Sequence, residues 1–97
     1  TIITKHQVGE RTLWILYGHL CSHSIKNTLV GEHVKAGQLI AWLGDEQENG
    51  GWVPHLHLQL TWLAPIANSV KGIFTTEQRE EALRSHPDPQ LLIGFYY

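Results

Sequence analysis

Two histidines separated by one residue, His55 and His57, are the side chains best suited to chemistry in this sequence. They lie in the stretch "VPHLHLQLTW", where apolar and polar residues alternate. Since successive residues of a β-strand point to opposite faces, the pattern predicts that both imidazoles lie on the polar face with Gln59 and Thr61. Imidazoles bind metals and transfer protons near neutral pH. The pair is therefore a candidate metal or catalytic site, and the alternative is two structural or solvated histidines on a strand.

A third histidine, His19, ends the apolar stretch "LWILYGHL" and is expected on the same strand face as Tyr17. The interval between His19 and His55 leaves room for one hairpin, which would bring their two strands side by side. Three histidines on one polar groove would supply imidazoles for zinc and for proton transfer.

The elements that must position these histidines are mostly strands. "TIITKH" is short and β-branched, "QVGE" is typical of a turn, and "RTLWILYGHL" is apolar and aromatic. These segments predict an antiparallel hairpin. Its second strand is apolar on both sides, so it is expected to be central in a sheet.

The middle of the chain predicts a second set of short strands. Glycines divide "LVGEHVKAGQLIAWLGD" into strands at Leu29–Val30 and Gln38–Leu43, and Asp45 to Gly51 form an acidic loop. The stretch from Cys21 to Thr28 is polar and is expected to be a loop or a short turn. "VPHLHLQLTW" is the last long strand, with its leucines facing the core. The expected core residues are Trp14, Leu16, Ile40, Trp42, Leu56, Leu58 and Leu60.

The C-terminal third has a different character. Thr75 and Gln78 have the spacing of a capping box, which predicts a short helix from Thr76 to Ser85. "HPDPQ" would end that helix, and "LLIGFYY" is an apolar tail. We therefore expect an all-β fold, a mostly antiparallel open sandwich or flattened barrel with one short C-terminal helix. Residues 1–63 would form the β domain, and residues 64–97 an extension that links to a further domain.

Composition narrows the classes of function. The 97 residues are 42% hydrophobic and 16% charged, as in one small globular domain. A net charge of −2 gives no basic surface for nucleic acid or anionic lipid, and the apolar runs are too short to span a bilayer. The single cysteine, Cys21, cannot form an internal disulfide and is expected to be a small, partly buried residue. Because the sequence contains no methionine, we expect that it was processed or belongs to a longer chain.

Three motifs in order, "LYGHL", "VGEHVKAGQLIAWLGD" and "PHLHLQL", resemble the C-terminal half of the lysostaphin/LytM-type zinc metallopeptidases. The resemblance covers roughly Thr1 to Leu60. It implies that His57 is a zinc ligand and that His55 and His19 act as general base and transition-state stabiliser. It further implies zinc as the cofactor and a peptide as the substrate.

The sequence also departs from that family. The family takes its other two zinc ligands from an upstream His-x-x-x-Asp motif, and no such motif occurs in these 97 residues. Other ligands would have to replace them, such as Asp45 or Glu46 in the acidic loop, although a solvated turn is the favoured interpretation of that loop. We therefore expect this chain by itself to be inactive. Four histidines match no ligand position in the family: His6, His23, His33 and His86.

A narrower resemblance suggests a different context. "GQLIAWLGDEQENGGWVPHLHLQL" and "HPDPQLLIGF" are similar to a peptidase-like module of large bacterial proteins, placed between a phosphotransferase-like kinase domain and a class III, pyridoxal-phosphate-dependent aminotransferase domain. This resemblance implies a cytoplasmic protein, whereas a secreted cell-wall peptidase of the family would be extracellular or periplasmic. The missing zinc ligands motivate the alternative function, a non-catalytic binding or spacer module that docks a peptide or a neighbouring domain. A lipoyl-like carrier domain is a further alternative, since Lys35 lies in an expected turn, but no carrier-type motif surrounds it. An unpaired sheet edge would also favour a homodimer.

Overall fold

A computed structural model describes residues 1–66 and 75–93. Its strands are β1 (Ile2–Val8), β2 (Arg11–Gly18) and β3 (His57–Thr61). Its helices are α1 (Ser22–Lys26), a 3-10 helix (Thr76–Gln78), α2 (Arg79–Ser85) and α3 (Gln90–Ile93). The strands form one antiparallel sheet in the order β1-β2-β3. The predicted all-β class with a short C-terminal helix is confirmed.

The hairpin of β1 and β2 is confirmed, and β2 is the central strand. Its turn consists of Gly9 and Glu10, and Gly9 has a φ of 62°. Two-residue hairpin turns that match the twist of the strands need a positive φ, which glycine adopts without a steric penalty. The turn therefore sets the register in which β1 pairs with β2.

By its internal contacts the chain divides into two compact units. The first combines Thr1–Ile2 with Tyr17–His57, and the second combines Ile3–Leu16 with the chain after His57. The three candidate histidines all lie in the first unit. The boundary between residues 63 and 64 stays a prediction.

In the first unit, the strands expected at Leu29–Val30 and Gln38–Leu43 do not form. Only one isolated antiparallel bridge, between Leu20 and Leu43, is present there. Side-chain oxygens accept from two backbone donors here. The carboxylate of Glu32 accepts from the Leu29 N–H (3.4 Å), in the first expected strand, and the side-chain carbonyl of Gln38 accepts from the Lys35 N–H (3.0 Å), in the turn between the two. These local bonds close turns in place of a ladder.

The stretch after β2 contains a helix where a loop or a short turn was expected. Cys21 is the N-cap of α1, and its Sγ accepts from the Ser24 N–H at 3.4 Å. The buried Ser24 hydroxyl in turn accepts from the Trp42 N–H at 2.9 Å. The sequence rules for helix starts favour Ser, Thr, Asp and Asn, so a cysteine cap gave no signal.

The second unit holds most of the buried apolar side chains, namely Leu13, Ile15, Leu16 and Leu60. At the end of β3 the Trp62 N–H donates to the Ser85 carbonyl at 2.8 Å, and the Arg11 guanidinium lies 3.9 Å from the centre of a Trp62 ring. These contacts tie α2 and the start of β2 to the end of β3. The predicted start of the helical segment is confirmed, because the Gln78 side chain accepts from the Thr75 N–H at 3.0 Å.

Several core predictions need correction. Leu16 and Leu60 are buried as expected, but Trp42 is 65% exposed and Leu56 47% exposed. Both lie outside any strand, so the alternation rule does not apply to them. Thr61, expected on the polar face, is 1% exposed; its hydroxyl bonds the Leu63 backbone, which reduces the cost of burying it. The remaining expected core residues, Trp14, Ile40 and Leu58, are partly buried.

Among the described residues, the helices are all too short to reach across a lipid bilayer. The tail predicted at residues 91–97 is described only to Ile93, in α3. Its aromatic end lies outside the described residues.

Candidate functional site

The site is a cluster of three imidazoles in the first unit. The ring centroid of His19 lies 4.5 Å from that of His55 and 5.7 Å from that of His57. The rings are tilted by 41° and 48° respectively. The structure thus brings together the three histidines singled out from the sequence. His55 precedes the first residue of β3, so the expected strand geometry holds only from His57 onward.

His19 has an unusual backbone conformation, with a φ of 61° directly after β2. A non-glycine residue in this region costs roughly 1–3 kcal/mol and persists where its surroundings determine it. Here the surroundings are backbone hydrogen bonds: the Gly44 N–H donates to the His19 carbonyl at 2.7 Å, and the Cys21 N–H donates to the Trp42 carbonyl at 2.9 Å. The 42–44 segment therefore holds His19 turned out of the strand path.

Two glycines let the backbone come close to these histidines. A Cβ on Gly44 would lie 3.1 Å from the carbonyl oxygens of both His19 and Leu20. A Cβ on Gly18 would lie 3.1 Å from the Cβ of His57. Both distances are below ordinary van der Waals contact, so glycine at each position permits the observed spacing.

His55 is oriented through its own ring nitrogen. Its Nδ1 lies 2.7 Å from the Val53 carbonyl oxygen. Because a carbonyl can only accept, Nδ1 carries the hydrogen in the neutral ring, and Nε2 holds a lone pair. That lone pair is what a general base needs.

The pKa of His19 lies below its ordinary value. Burial is the largest cause, followed by repulsion from His55, from His57 and from the N-terminal amine. The lowered pKa favours the neutral form of the His19 ring. A neutral imidazole can donate one hydrogen bond and accept another.

The acidic loop turns its carboxylates to the backbone. Glu48 accepts from the Ser22 N–H (2.7 Å) and the Asp45 N–H (3.3 Å), and Asp45 accepts from the Glu48 N–H (2.9 Å). The bond from Ser22 is the largest cause that lowers the pKa of Glu48. The loop thus braces the segment after His19, a role that its sequence did not reveal.

The residues present do not fit a complete catalytic zinc site. Such a site takes three protein ligands and leaves one position for water or substrate. Within residues 1–66 and 75–93, no three His, Cys, Asp or Glu side chains are grouped so as to hold a metal. Neither the histidine cluster nor Asp45 or Glu46 therefore completes such a site within these residues.

The family model of Peptidase family M23 matches residues 1–70, which include all three histidines of the cluster. The chain belongs to this family. The resemblance to lysostaphin/LytM-type peptidases is thereby confirmed, and with it a metallopeptidase-like domain. Peptidases of family M23 are generally zinc-dependent. Searches of the curated proteins and of the solved structures found no match.

The structure gives the position of each predicted site residue, and the roles assigned to these residues stay predictions. His19, His55 and His57 lie together. His23 and His33 are exposed, and His6 is hydrogen-bonded to Thr4 at 2.7 Å. Sequence reasoning missed Gly44 and Val53, which act through backbone atoms and leave no side-chain motif to detect.

Proposed function

We propose that the three histidines are the proton-transferring part of a peptidase site and that His57 is one of its zinc ligands. The observation that carries this proposal is the position of the His19 ring, 4.5 Å from His55 and 5.7 Å from His57. His55 accepts a proton at Nε2, because its Nδ1 is engaged by a carbonyl. His19, in its neutral form, donates a hydrogen bond to oxygen that gains negative charge during attack on a peptide carbonyl.

These 97 residues alone are proposed not to hydrolyse peptides. With His57 as the single family ligand, zinc binding is weak, and no catalytic step through zinc can be derived from this arrangement. The ligand deficit also favours a second candidate, a non-catalytic binding or spacer module that docks a neighbouring domain. The cytoplasmic location, the aminotransferase-type parent protein and a homodimer through the sheet edge belong to the same set of proposals.

Zinc binding and hydrolysis distinguish these proposals. The 97-residue chain should bind zinc only weakly in a competition titration and should not cleave a glycine-rich peptide. If its gene encodes residues before Thr1, the longer product should retain zinc through gel filtration and cleave that peptide. His55→Ala should abolish cleavage while zinc remains bound.

Each proposal has its own refuting result. Tight, stoichiometric zinc binding by the 97 residues would show that the ligand set is complete. A longer product without zinc would refute the peptidase proposal and favour the binding module. His23→Ala, which removes an exposed histidine outside the cluster, is the matched control.

A further inference from the structure

The buried side chain of Asn49 has no role in the site described above. It lies in the acidic loop and is only 6% exposed, although the loop residues beside it are exposed. Its Oδ1 accepts from the Trp52 N–H at 2.9 Å, and its Nδ2 donates to the Val53 carbonyl at 3.2 Å. The first bond identifies which end of the amide is oxygen, since a backbone N–H can only donate.

The Val53 carbonyl is the group that also binds Nδ1 of His55, at 2.7 Å. A carbonyl oxygen has two lone pairs and can accept both bonds at once. Asn49 and His55 therefore meet at a single backbone oxygen. The direction in which that oxygen points determines whether both bonds can form.

Few other contacts can set that direction. Gly50 and Gly51 precede the segment, both with positive φ (89° and 94°), and glycine restrains the backbone least. The side chains of Trp52 and Val53 are 69% and 70% exposed, so core packing does not hold them. Besides the bonds of Asn49, the Gly51 N–H donates to the Glu46 carbonyl at 2.7 Å, and the other bonds within the loop join Asp45 to Glu48, ahead of the glycines.

We propose that Asn49 is a positioning residue for His55, acting through the Val53 carbonyl. It holds the ring with hydrogen on Nδ1 and the lone pair on Nε2, so that Nε2 is available to accept a proton from the attacking water. The importance of this for hydrolysis rests on the proposed function. The orientation and the tautomer of the ring do not depend on the proposed function.

The tautomer is measurable in the 97-residue chain without zinc or activity. Long-range ¹H–¹⁵N correlation spectra at pH 8 should show hydrogen on Nδ1 of His55 and none on Nε2. A scalar coupling through the hydrogen bond should connect Asn49 Nδ2 to the Val53 carbonyl carbon. A wild-type ring with hydrogen on Nε2, or a protein without that coupling, would overturn the proposal.

Asn49→Asp is the informative variant, because it keeps an acceptor for the Trp52 N–H and removes the donor to Val53. It should move His55 toward a mixture of tautomers. Gln47→Glu makes the same chemical change at an exposed position of the same loop and should leave the tautomer unchanged. If Asn49→Asp does not fold, the tautomer of His55 is measured in Asn49→Ala. The coupling between Asn49 and Val53 in the wild type tests the hydrogen bond in either case. An unchanged tautomer in a folded variant would refute the role of Asn49.

In a longer product that is active, Asn49→Asp should lower kcat about 10–100-fold with little change in KM, which is the usual range for residues that orient a ligand or base from outside the site. A confirmed tautomer together with an inactive longer product would refute the peptidase proposal and leave the positioning role intact. A wild-type His55 ring with hydrogen on Nε2 in an active longer product would refute the positioning role and leave the peptidase proposal intact.

Discussion

Replacing Gly44 with alanine should weaken the fold and move His19. Gly44 is buried, and its N–H donates to the His19 carbonyl at 2.7 Å. An added Cβ would lie 3.1 Å from two carbonyl oxygens and 3.2 Å from the Cβ of Glu48. The neighbours cannot withdraw independently, since the hydrogen bond and the Leu20–Leu43 bridge join the two segments. The methyl group therefore has to push the segments apart.

Two opposed effects determine how much Gly44→Ala lowers the free energy of unfolding. Overfilling a packed site costs typically about 1–3 kcal/mol of unfolding free energy. Alanine also restricts the unfolded chain, which returns about 0.4–1 kcal/mol where the native φ suits it, and Gly44 is not among the glycines with positive φ. Subtracting the midpoint of the second range, about 0.7 kcal/mol, from that of the first, about 2 kcal/mol, gives an expected net loss of about 1.3 kcal/mol.

Urea unfolding measures that loss, and imidazole resonances report on the site. Gly44→Ala should lower the midpoint at an unchanged m-value and shift the His19 signals. Gln47→Ala, at an exposed position of the same loop, should stay within about 0.5 kcal/mol of the wild type. If Gly44→Ala matched that control in stability and left the His19 signals in place, the close approach of the 42–44 segment would not be what holds His19.

Other predictions concern titration and packing. Folding lowers the pKa of His19, so the unfolded chain binds protons more readily than the folded chain below about pH 6.5. The free energy of unfolding should therefore decrease as the pH is lowered through this range. His19→Gln should flatten that slope in urea titrations at several pH values. The pKa of Glu48 is lowered on folding, so its carboxylate stabilises the fold at a pH above the unfolded-state pKa. This contribution to stability is lost as the pH falls through the folded-state pKa. Glu48→Gln should therefore be less stable than wild type at pH 7, with a difference that disappears in acid. Leu60→Ala should cost about 2–5 kcal/mol, because Leu60 is 3% exposed, whereas the exposed Leu56→Ala should be nearly neutral by the same unfolding assay.

Features set by neighbouring residues were predictable from the sequence. The first hairpin follows from a glycine turn between two strand-like segments, and the helical segment from Thr76 to Ser85 follows from the capping box of Thr75 and Gln78. The grouping of three histidines was expected from the order of the motifs. In each case the information lies within a few residues or in the family resemblance.

Features set by competition between hydrogen bonds were not predictable. The 29–43 segment contains enough apolar residues for strands, yet Glu32 and Gln38 satisfy its backbone locally. The alternation around Leu56 also continues past the real start of β3 at His57. A residue pattern records side-chain preferences, but it does not show which backbone donors have already found an acceptor.

The same distinction explains how the site is built. His19 is held through its carbonyl by Gly44, and His55 through its ring by the carbonyl of Val53. Neither restraint involves a metal, so hydrogen bonds within the chain hold the His19 backbone and the His55 ring. Addition of zinc should therefore leave the His55 tautomer and the His19 backbone shifts nearly unchanged, whereas the His57 ring signals should broaden or move as zinc is titrated. Equal movement of all three histidines would instead show that the metal assembles the cluster.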